Sequence, residues 1–378
     1  MDLATAYAPL AAEIDALLPD GAVVVDAHTH LGRDEDGQSL EPSALLAFLD
    51  QVSPTARACT FPLHDPDRTP AYQVPNDRVL RWAEESGGRL YPYCRLDPAD
   101  DPVAEAERCL ALGARGIKLH PRAQAFGFGD AAAESIWKVA EEANVPILIH
   151  AGRGMPRMDP LADLALRFPD VVLVLAHAGI ADQGMFASRL RDHPNVVYDT
   201  STFSVFDQLE LFARVPAERI VFASDVPYGR PAGGLHTALR MAAYAGLDEQ
   251  ERSRLVGATM MTILDGGRLP EPTAPRLPEI RSINGRLARV NGYLMMSFAA
   301  ALSSGPPPDF ERGMQFVSLA RSVCRDPDPG GAGPTLERID RLLSAAEQLL
   351  TGGGEETRAA FGLVIAAGVI AATEPSPS

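Results

Sequence analysis

The sequence predicts an α/β protein in which a (β/α)₈ TIM barrel is followed by a small domain made only of helices. Eight short aliphatic runs alternate with helix-length segments between residues 22 and 268, and the pattern then stops at a proline-rich stretch. Continuous apolar runs are typical of parallel strands that are buried on both faces. Eight such units in about 250 residues match the usual size of a closed barrel.

The strand-like runs share β-branched or aliphatic residues, and most of them end on a polar residue. They cover residues 22–28, 56–62, 89–96, 114–120, 145–150, 171–177, 195–201 and 219–225. Helical patterns between them cover residues 75–86, 102–112, 131–143, 160–168 and 206–213. An open doubly wound sheet is the structural alternative, but the sequence lacks the glycine-rich phosphate-binding turn of that fold.

The chain changes character after residue 268. A proline-rich stretch indicates a linker, and four helical patterns follow, at 281–302, 309–325, 335–350 and 356–372. We therefore assign 1–268 to the barrel with an N-terminal helix, 269–280 to the linker and 281–378 to a helical domain. That last part contains no histidine and one cysteine, so we place no chemistry there. We expect it to pack against the barrel or to form a homodimer; a lid over the site is the alternative.

Composition and charge exclude several classes of partner. The net charge of −16 would repel nucleic acid over most of the surface. The four cysteines show no CxxC spacing, so we expect reduced core thiols. The acidic, amphipathic N-terminus does not resemble a signal peptide, and the apolar stretch 359–372 is too short to span a bilayer. We therefore expect a cytoplasmic protein with a small-molecule substrate and no membrane or nucleic-acid partner.

The strongest local motif is Asp26-Ala27-His28-Thr29-His30, at the end of the first strand-like run. Alternate side chains of a strand share a face, so His28 and His30 point the same way. Two neutral imidazoles placed in this way can bind one metal ion. The triplet alone is weak, but its position at the C-terminal end of a barrel strand, where barrel enzymes carry their chemistry, strengthens it.

Other strand-like runs end on residues of the same kind. His120, His150, His177 and Asp225 are the last residues of runs four, five, six and eight, so five of the eight histidines lie at strand ends. An unpartnered polar group buried in a barrel costs about 1–3 kcal/mol, so such a convergence needs a reason. The sequence therefore predicts a metal site. Asp199, at the end of run seven, either hydrogen-bonds near that site or caps the following helix.

The motifs at these strand ends resemble those of the amidohydrolase superfamily, and specifically its amidohydrolase-related (amidohydrolase-2) branch. They are VDAHTH (25–30), GIKLHP (116–121), ILIHAG (147–152), LAHAG (175–179) and ASDVPYG (223–229), in the family's order. The likeness covers about residues 20–268. As a set these motifs are specific for the family but not for a substrate, since the branch includes hydrolases and non-oxidative decarboxylases.

The resemblance implies a role for each strand-end residue. His28, His30 and His150 would be metal ligands, and Asp225 would complete the site and take a proton from a metal-activated water. His177 would be a catalytic acid or base, or a ligand to a second ion. Lys118 and His120 share a strand face, and a carboxylated Lys118 would bridge two ions. We expect one zinc ion, with two ions as the alternative; manganese or iron would suit similar ligands.

Four arginines follow the strands that carry these motifs. Arg33, Arg122, Arg153 and Arg157 stand at the expected mouth of the barrel, and together with Lys118 they suggest an anionic substrate, with the first three as the candidates for binding it. We therefore expect a metal-dependent hydrolase that cleaves a C–N or C–O bond, in an amide, cyclic amide or lactone. One alternative is metal-dependent decarboxylation of an aromatic or unsaturated acid. Another is a metal-stabilised binding protein without catalysis.

Overall fold

A computed structural model describes residues 2–152, 157–202, 204–276, 284–303, 309–327, 331–350 and 354–374. It contains the eight predicted parallel strands, each shorter than its apolar run except the first. The third of these strands is interrupted at Tyr93, and a two-residue strand, Ser39–Leu40, pairs antiparallel with the end of the first. The barrel strands are β1 (Val25–Arg33), β2 (Arg57–Pro62), β3 (Leu90–Pro92 and Cys94–Arg95), β4 (Ile117–Leu119), β5 (Ile147–Ile149), β6 (Leu173–Leu175), β7 (Val196–Asp199) and β8 (Ile220–Val221).

Backbone hydrogen bonds join these strands into a closed ring. Neighbouring strands pair in parallel from β1 to β8, with β3 pairing β2 through its first half and β4 through its second. The ring closes between β8 and β1, where Ala27 N donates to Phe222 O and His30 N donates to Val226 O, each at 2.9 Å. The predicted barrel is therefore confirmed.

The helices surround the barrel and continue beyond it. Their bounds agree with the predicted helical patterns to within a few residues. They are α1 (Leu3–Leu17), α2 (Pro42–Asp50), α3 (Gln73–Glu85), α4 (Pro102–Ala111), α5 (Ala131–Ala143), α6 (Asp159–Arg167), α7 (Gln183–Arg189), α8 (Val205–Arg214), α9 (Pro231–Tyr244), α10 (Glu249–Ser253), α11 (Thr259–Leu264), α12 (Gly285–Leu302), α13 (Phe310–Cys324), α14 (Gly333–Leu349) and α15 (Gly354–Thr373).

Side chains along each strand point alternately into the barrel and out toward the helices, which gives one hydrophobic core inside the barrel and another between the barrel and its helices. Inward residues such as Val25, Leu148 and Val174 form a cluster inside the barrel, whereas their sequence neighbours pack under the surrounding helices. The interior cluster fills the barrel with side chains, so the C-terminal strand ends are left as the mouth. A bulge in β1 between Asp26 and Thr29 bends the strand where the metal motif begins.

The C-terminal helices build a second hydrophobic cluster that the N-terminal helix completes. Ala6 and Leu10 of α1 belong to this cluster, together with buried residues of α12 to α15. Two residues of α15, Val369 and Ala372, belong instead to the exterior core of the barrel. Helices α1 and α15 thus pack against both parts of the chain. The boundary predicted near residue 268 stays a prediction.

The last helix is longer than the sequence analysis expected. Its segment Glu356–Thr373 has 18 residues with a mean hydropathy of 1.4, which by length and composition is enough to cross a membrane. The prediction that this stretch is too short was wrong, because it counted only the uninterrupted apolar residues and not the whole helix. Most of the segment is buried against the rest of the chain, as in the core helix of a globular fold. The four cysteines are free and buried, as predicted.

Candidate metal centre

Three predicted ligands meet at the mouth of the barrel. The Nε2 atoms of His28 and His30 lie 3.2 Å apart, and Asp225 Oδ1 lies 3.1 Å from each of them. Ligands bound at 2.0–2.1 Å to one cation are separated by about 2.9–3.4 Å, depending on the coordination angle. The triangle of two imidazole nitrogens and one carboxylate oxygen therefore fits a single divalent ion.

A buried carboxylate orients the first of these ligands. His28 Nδ1 lies 2.8 Å from Asp199 Oδ2, so the ring donates its Nδ1 proton there and turns the Nε2 lone pair toward the triangle. Asp199 Oδ1 accepts hydrogen bonds from the backbone N–H of His177 and from the Ser201 hydroxyl, at 2.8 and 2.6 Å. Of the two roles that the sequence left open for Asp199, the structure supports hydrogen bonding at the site.

The remaining histidines form a second row beside the triangle. His177 Nε2 lies 3.0 Å from His150 Nδ1, and the rings of His150 and His120 stack with centroids 3.8 Å apart. Donor atoms of His28, His177 and Asp225 lie within 4.8 Å of one another. In this arrangement His177 lies beside the triangle and His150 reaches it through His177. The assignment of His150 as a ligand stays a prediction.

The backbone is strained at two of these strand ends. His177 and Asp225 both have φ of 57°, in the left-handed region that non-glycine residues rarely adopt. Such conformations cost of order 1 kcal/mol and occur mainly where a side chain must be aimed at a functional site. Asp26 helps to hold this end of the barrel, because its Oδ1 accepts hydrogen bonds from the backbone N–H groups of His28 and Ser224.

Lys118 points into the same cluster. Its ammonium group is buried, lies 3.2 Å from His28 Nε2 and sits over the Phe61 ring at 4.5 Å from the centroid. Burial lowers the pKa of Lys118 to about 7, although the charge of Asp225 opposes this shift. His120, two residues later, is turned toward the following loop, where its Nδ1 accepts a hydrogen bond from Ala123 N.

Burial also sets the protonation states of the ligands. It lowers the pKa of His28 and His30 well below the ordinary range, with the neighbouring positive charge of Lys118 acting in the same direction. Burial raises the pKa of Asp225 well above its ordinary range, against the charge of Lys118. Neutral imidazoles have the free lone pair that a metal requires, and a divalent ion would stabilise the buried carboxylate. The donor set therefore fits a metal chemically as well as geometrically.

The two predicted substrate arginines that the structure describes, Arg33 and Arg122, are exposed, unlike the buried residues of this cluster. Arg33 is more than half exposed and pairs with Asp67 at 2.7 Å. Arg122 is exposed in the loop after β4, and Arg153 lies outside the described residues. Their roles in substrate binding stay predictions.

Two residues that the sequence analysis did not select lie at the site. The Ser201 hydroxyl lies 3.0 Å from His177 Nδ1, and the Ser201 carbonyl accepts from the same nitrogen at 2.9 Å. Arg95 is buried at the end of β3 and is the register partner of Lys118 on β4. The pairing of Arg95 with Lys118 would have identified Arg95, but the register between two strands cannot be predicted from one sequence.

Comparison with known proteins agrees with this geometry. The sequence model of a protein family described as Amidohydrolase matches residues 25–259, and no curated protein sequence matches the chain. The structure is similar to that of IDCase from Metarhizium anisopliae in apo form, at 16% identity and a TM-score of 0.53, over 65% of this chain and 98% of that chain. It is also similar to 2,6-dihydroxybenzoate decarboxylase from Rhizobium, at 14% identity and a TM-score of 0.50, over 65% of this chain and 99% of that one.

Identities this low establish the fold alone, whereas the family match covers more than half of the chain. The matched segment contains every strand end of the candidate metal centre, from His28 to Asp225. The resemblance inferred from the motifs is thereby confirmed. The chain belongs to the amidohydrolase family, in the amidohydrolase-2 branch of that superfamily of metal-dependent enzymes.

Proposed function

We propose that this protein is a hydrolase that uses one divalent cation, zinc in the first instance, to cleave a C–N or C–O bond in a small anionic substrate. The proposed substrate classes are amides, cyclic amides and lactones. The observation that carries the proposal is the buried triangle of His28, His30 and Asp225, with ligand atoms 3.1–3.2 Å apart. A purely structural zinc site is normally closed by four protein ligands and has no spare acid or base.

A cation held by His28, His30 and Asp225 would supply Lewis-acid polarisation of the scissile bond and acidify a water molecule. The described contacts of Asp225 all use Oδ1. Its second oxygen is therefore placed to take a proton at the mouth and return it to a leaving group. The Asp225 side chain is 9% exposed, so it is not closed off completely from the mouth of the barrel.

The paired rings of His177 and His150 supply a second route for a proton. His177 Nδ1 lies 2.9 Å from the Ser201 carbonyl, which accepts only from an N–H. The proton therefore resides on Nδ1, and His177 Nε2 accepts from His150 Nδ1 at 3.0 Å. In this arrangement the two neutral imidazoles can hold a proton near the substrate and pass it between them.

We propose one cation rather than two, because the ligand atoms of His28, His30 and Asp225 form one triangle. The Lys118 ammonium lies 3.2 Å from His28 Nε2 and over the Phe61 ring, so it stands within the one cluster. His120 is turned toward Ala123. We therefore propose that Lys118 acts as an uncarboxylated cation beside the substrate.

Elemental analysis of purified protein tests the first half of this proposal. We expect about one equivalent of zinc, manganese or iron in the parent, and its loss in the His28→Ala, His30→Ala double variant. His193→Ala, which changes a histidine in the loop before β7, is the matched control and should retain the metal. A parent that stays folded and binds no metal on incubation would contradict the proposal.

Isotope labelling tests the second half. The metal-loaded parent is incubated in ¹⁸O-water with a panel of carboxylated lactones, cyclic amides, and unsaturated and aromatic acids, and product mass and carbon dioxide are measured together. Hydrolysis incorporates one ¹⁸O atom into the product and releases no carbon dioxide. Release of carbon dioxide from an unsaturated or aromatic acid, without ¹⁸O in the organic product, would replace hydrolysis by decarboxylation.

A further inference from the structure

Arg95 stands at the mouth of the barrel on the inward face of β3. It follows Tyr93 by two residues, and Tyr93 belongs to the cluster inside the barrel, so the two side chains share a face. Arg95 also pairs in register with Lys118, whose ammonium reaches the metal cluster. Register partners on adjacent parallel strands point to the same side of the sheet, which places Arg95 one strand away from the candidate metal centre.

The guanidinium group is buried without a counter-charge. Arg95 is 1% exposed, and among the described residues no carboxylate lies within ion-pairing distance of it. Its Nη1 donates to the Pro62 carbonyl at 3.1 Å, and its Nη2 lies 3.4 Å from His64 Nδ1. Its Nε has no hydrogen-bond partner among the described residues. An isolated buried charge costs several kcal/mol unless a partner neutralises it.

The neighbouring carboxylates of Asp34 and Asp65 accept hydrogen bonds from other residues. Asp34 Oδ2 accepts from His64 N and from the Tyr228 hydroxyl, at 3.0 and 3.1 Å. Asp65 Oδ2 accepts from Arg78 at 2.8 Å. Neither carboxylate forms an ion pair with Arg95, and Asp34 acts on the guanidinium only from a distance, through its charge.

Arg95 is held rigidly despite this cost. The Asn76 side chain forms two hydrogen bonds with the backbone of Arg95: it accepts from Arg95 N at 2.9 Å and donates to Arg95 O at 3.0 Å. Asn76 is itself anchored by Glu105, whose Oε1 accepts from it at 2.7 Å. The guanidinium lies over the Tyr72 ring, 5.3 Å from the centroid. A fixed, planar and uncompensated guanidinium is the arrangement that binds a carboxylate with two hydrogen bonds.

We propose that Arg95 binds a carboxylate group of the substrate and so restricts this enzyme to carboxylic acids. The proposal rests on the proposed function, since it specifies the substrate class of the same site. It assigns to Arg95 the anion recognition that the sequence analysis placed on Arg33, Arg122 and Arg153. Arg95 is a specificity-determining residue in this account, while the cation and Asp225 act on the scissile bond.

Acetate binding to the zinc-loaded protein tests this assignment, with acetamide as the neutral probe of the same shape. Calorimetry measures the acetate affinity of the parent, Arg95→Met, Arg95→Lys and, as the matched control, Arg81→Met, at an exposed position on α3. We expect Arg95→Met to weaken acetate binding by about tenfold or more, because a charged hydrogen-bonded pair is lost. Arg95→Lys should lose less, Arg81→Met should bind as the parent does, and the binding of acetamide should be the same in the parent and in Arg95→Met.

A stability measurement separates this role from a structural one. Because Arg95→Met removes an uncompensated buried charge, its unfolding midpoint without acetate should equal or exceed that of the parent. A lower midpoint, or failure of Arg95→Met to fold, would make Arg95 a structural residue and overturn the proposal. So would a parent that does not bind acetate, or equal acetate affinities in the parent and Arg95→Met.

The two proposals fail in different measurements. Zinc content reports on the metal centre, whereas the difference between acetate and acetamide reports on Arg95. If the parent binds no zinc but retains acetate binding that depends on Arg95, the anion site is supported and the hydrolase mechanism fails. If zinc binds stoichiometrically and Arg95→Met has no effect on acetate, the anion site fails and the hydrolase mechanism is untouched.

Discussion

At the scale of single residues, Asp199 determines which nitrogen of His28 faces the metal centre. Its carboxylate accepts from His28 Nδ1 and also from the His177 backbone and the Ser201 hydroxyl, so it links the triangle to the second histidine row. Together these three hydrogen bonds use both oxygens of the Asp199 carboxylate. The carboxylate therefore orients two strand ends at once.

Replacement of Asp199 by asparagine should weaken metal binding. The amide would present an NH₂ group to one of these donors, so the orientation of His28 would be lost while the shape of the side chain is kept. Loss of such an orienting partner typically costs 10–100-fold in metal affinity. Competition with a chelator measures this affinity in the parent, Asp199→Asn and Asp192→Asn, an exposed control. Equal affinities in all three would remove Asp199 from the site.

The candidate metal ligands could be selected from the sequence because their chemistry and their position coincide. Histidines are few, and five of them fall at strand ends, so His28, His30 and His177 could be selected without coordinates. Arg95 could not, because arginine is common on surfaces and only burial without a counter-ion distinguishes it. For the same reason Arg33 was selected from its position in a loop, although the structure pairs it with Asp67.

At the scale of elements, Glu13 joins the N-terminal helix to the barrel and to the C-terminal helices. It accepts from His236 Nε2 of α9 at 2.6 Å, and from Arg240 of α9 and Arg338 of α14. Burial alone would raise the pKa of Glu13, but these three partners lower it to about 2. The carboxylate is therefore strongly stabilised in its charged form.

Glu13→Gln should lower the free energy of unfolding by about 2 kcal/mol near pH 7, because charged hydrogen bonds between three helices are replaced by neutral ones. The folded pKa lies below the ordinary value of 4.5, so this contribution is complete above pH 4.5 and is lost as the pH falls through about 2. Denaturant titrations at several pH values measure the difference between parent and variant. The exposed control Glu142→Gln should show none, and a difference independent of pH would refute the charged interaction.

Replacement of a glycine by alanine should destabilise the protein at Gly257 and stabilise it at Gly292. Gly257 is buried where the segment between α10 and α11 passes under β1, and an added Cβ would overlap the Val23 carbonyl. Gly257→Ala should therefore destabilise the fold by about 2–3 kcal/mol. Gly292 in α12 has open space around the Cβ position, so Gly292→Ala should stabilise it by about 0.5–1 kcal/mol. Urea unfolding measures both; a neutral Gly257→Ala would show that β1 and this segment are loosely packed.

Elements were predicted better than their ends. Hydrophobic runs placed all eight strands, but most strands are shorter than their runs, as in β8 with only Ile220 and Val221, whereas β1 extends beyond its run to Arg33. The interruption of β3 at Tyr93 and the short strand Ser39–Leu40 depend on pairing between distant segments. No local pattern carries that information. Helix bounds were closer because capping and turn residues are local signals.

At the scale of the whole molecule, the barrel and the C-terminal helices share their hydrophobic cores. Val369 and Ala372 of α15 are buried in the barrel's exterior core, and Ala6 and Leu10 of α1 are buried among the C-terminal helices. Arg240 of α9 further pairs with Glu374 at 2.7 Å. Because α15 packs against the barrel and α1 packs against the C-terminal helices, the stabilities of the two parts are coupled more tightly than by a flexible linker alone.

We therefore expect one cooperative unfolding transition. Both tryptophans, Trp82 and Trp137, lie in the barrel, whereas far-ultraviolet circular dichroism also reports on α12 to α15. In a two-state transition the two signals change together. Val369→Asp would place a charge between α15 and the barrel and should separate the curves, with helicity lost first. Val74→Asp, at a half-exposed position on α3, should leave them coincident. If the parent itself loses helicity before its tryptophan signal changes, the C-terminal helices fold as an independent unit and the shared core contributes little to coupling.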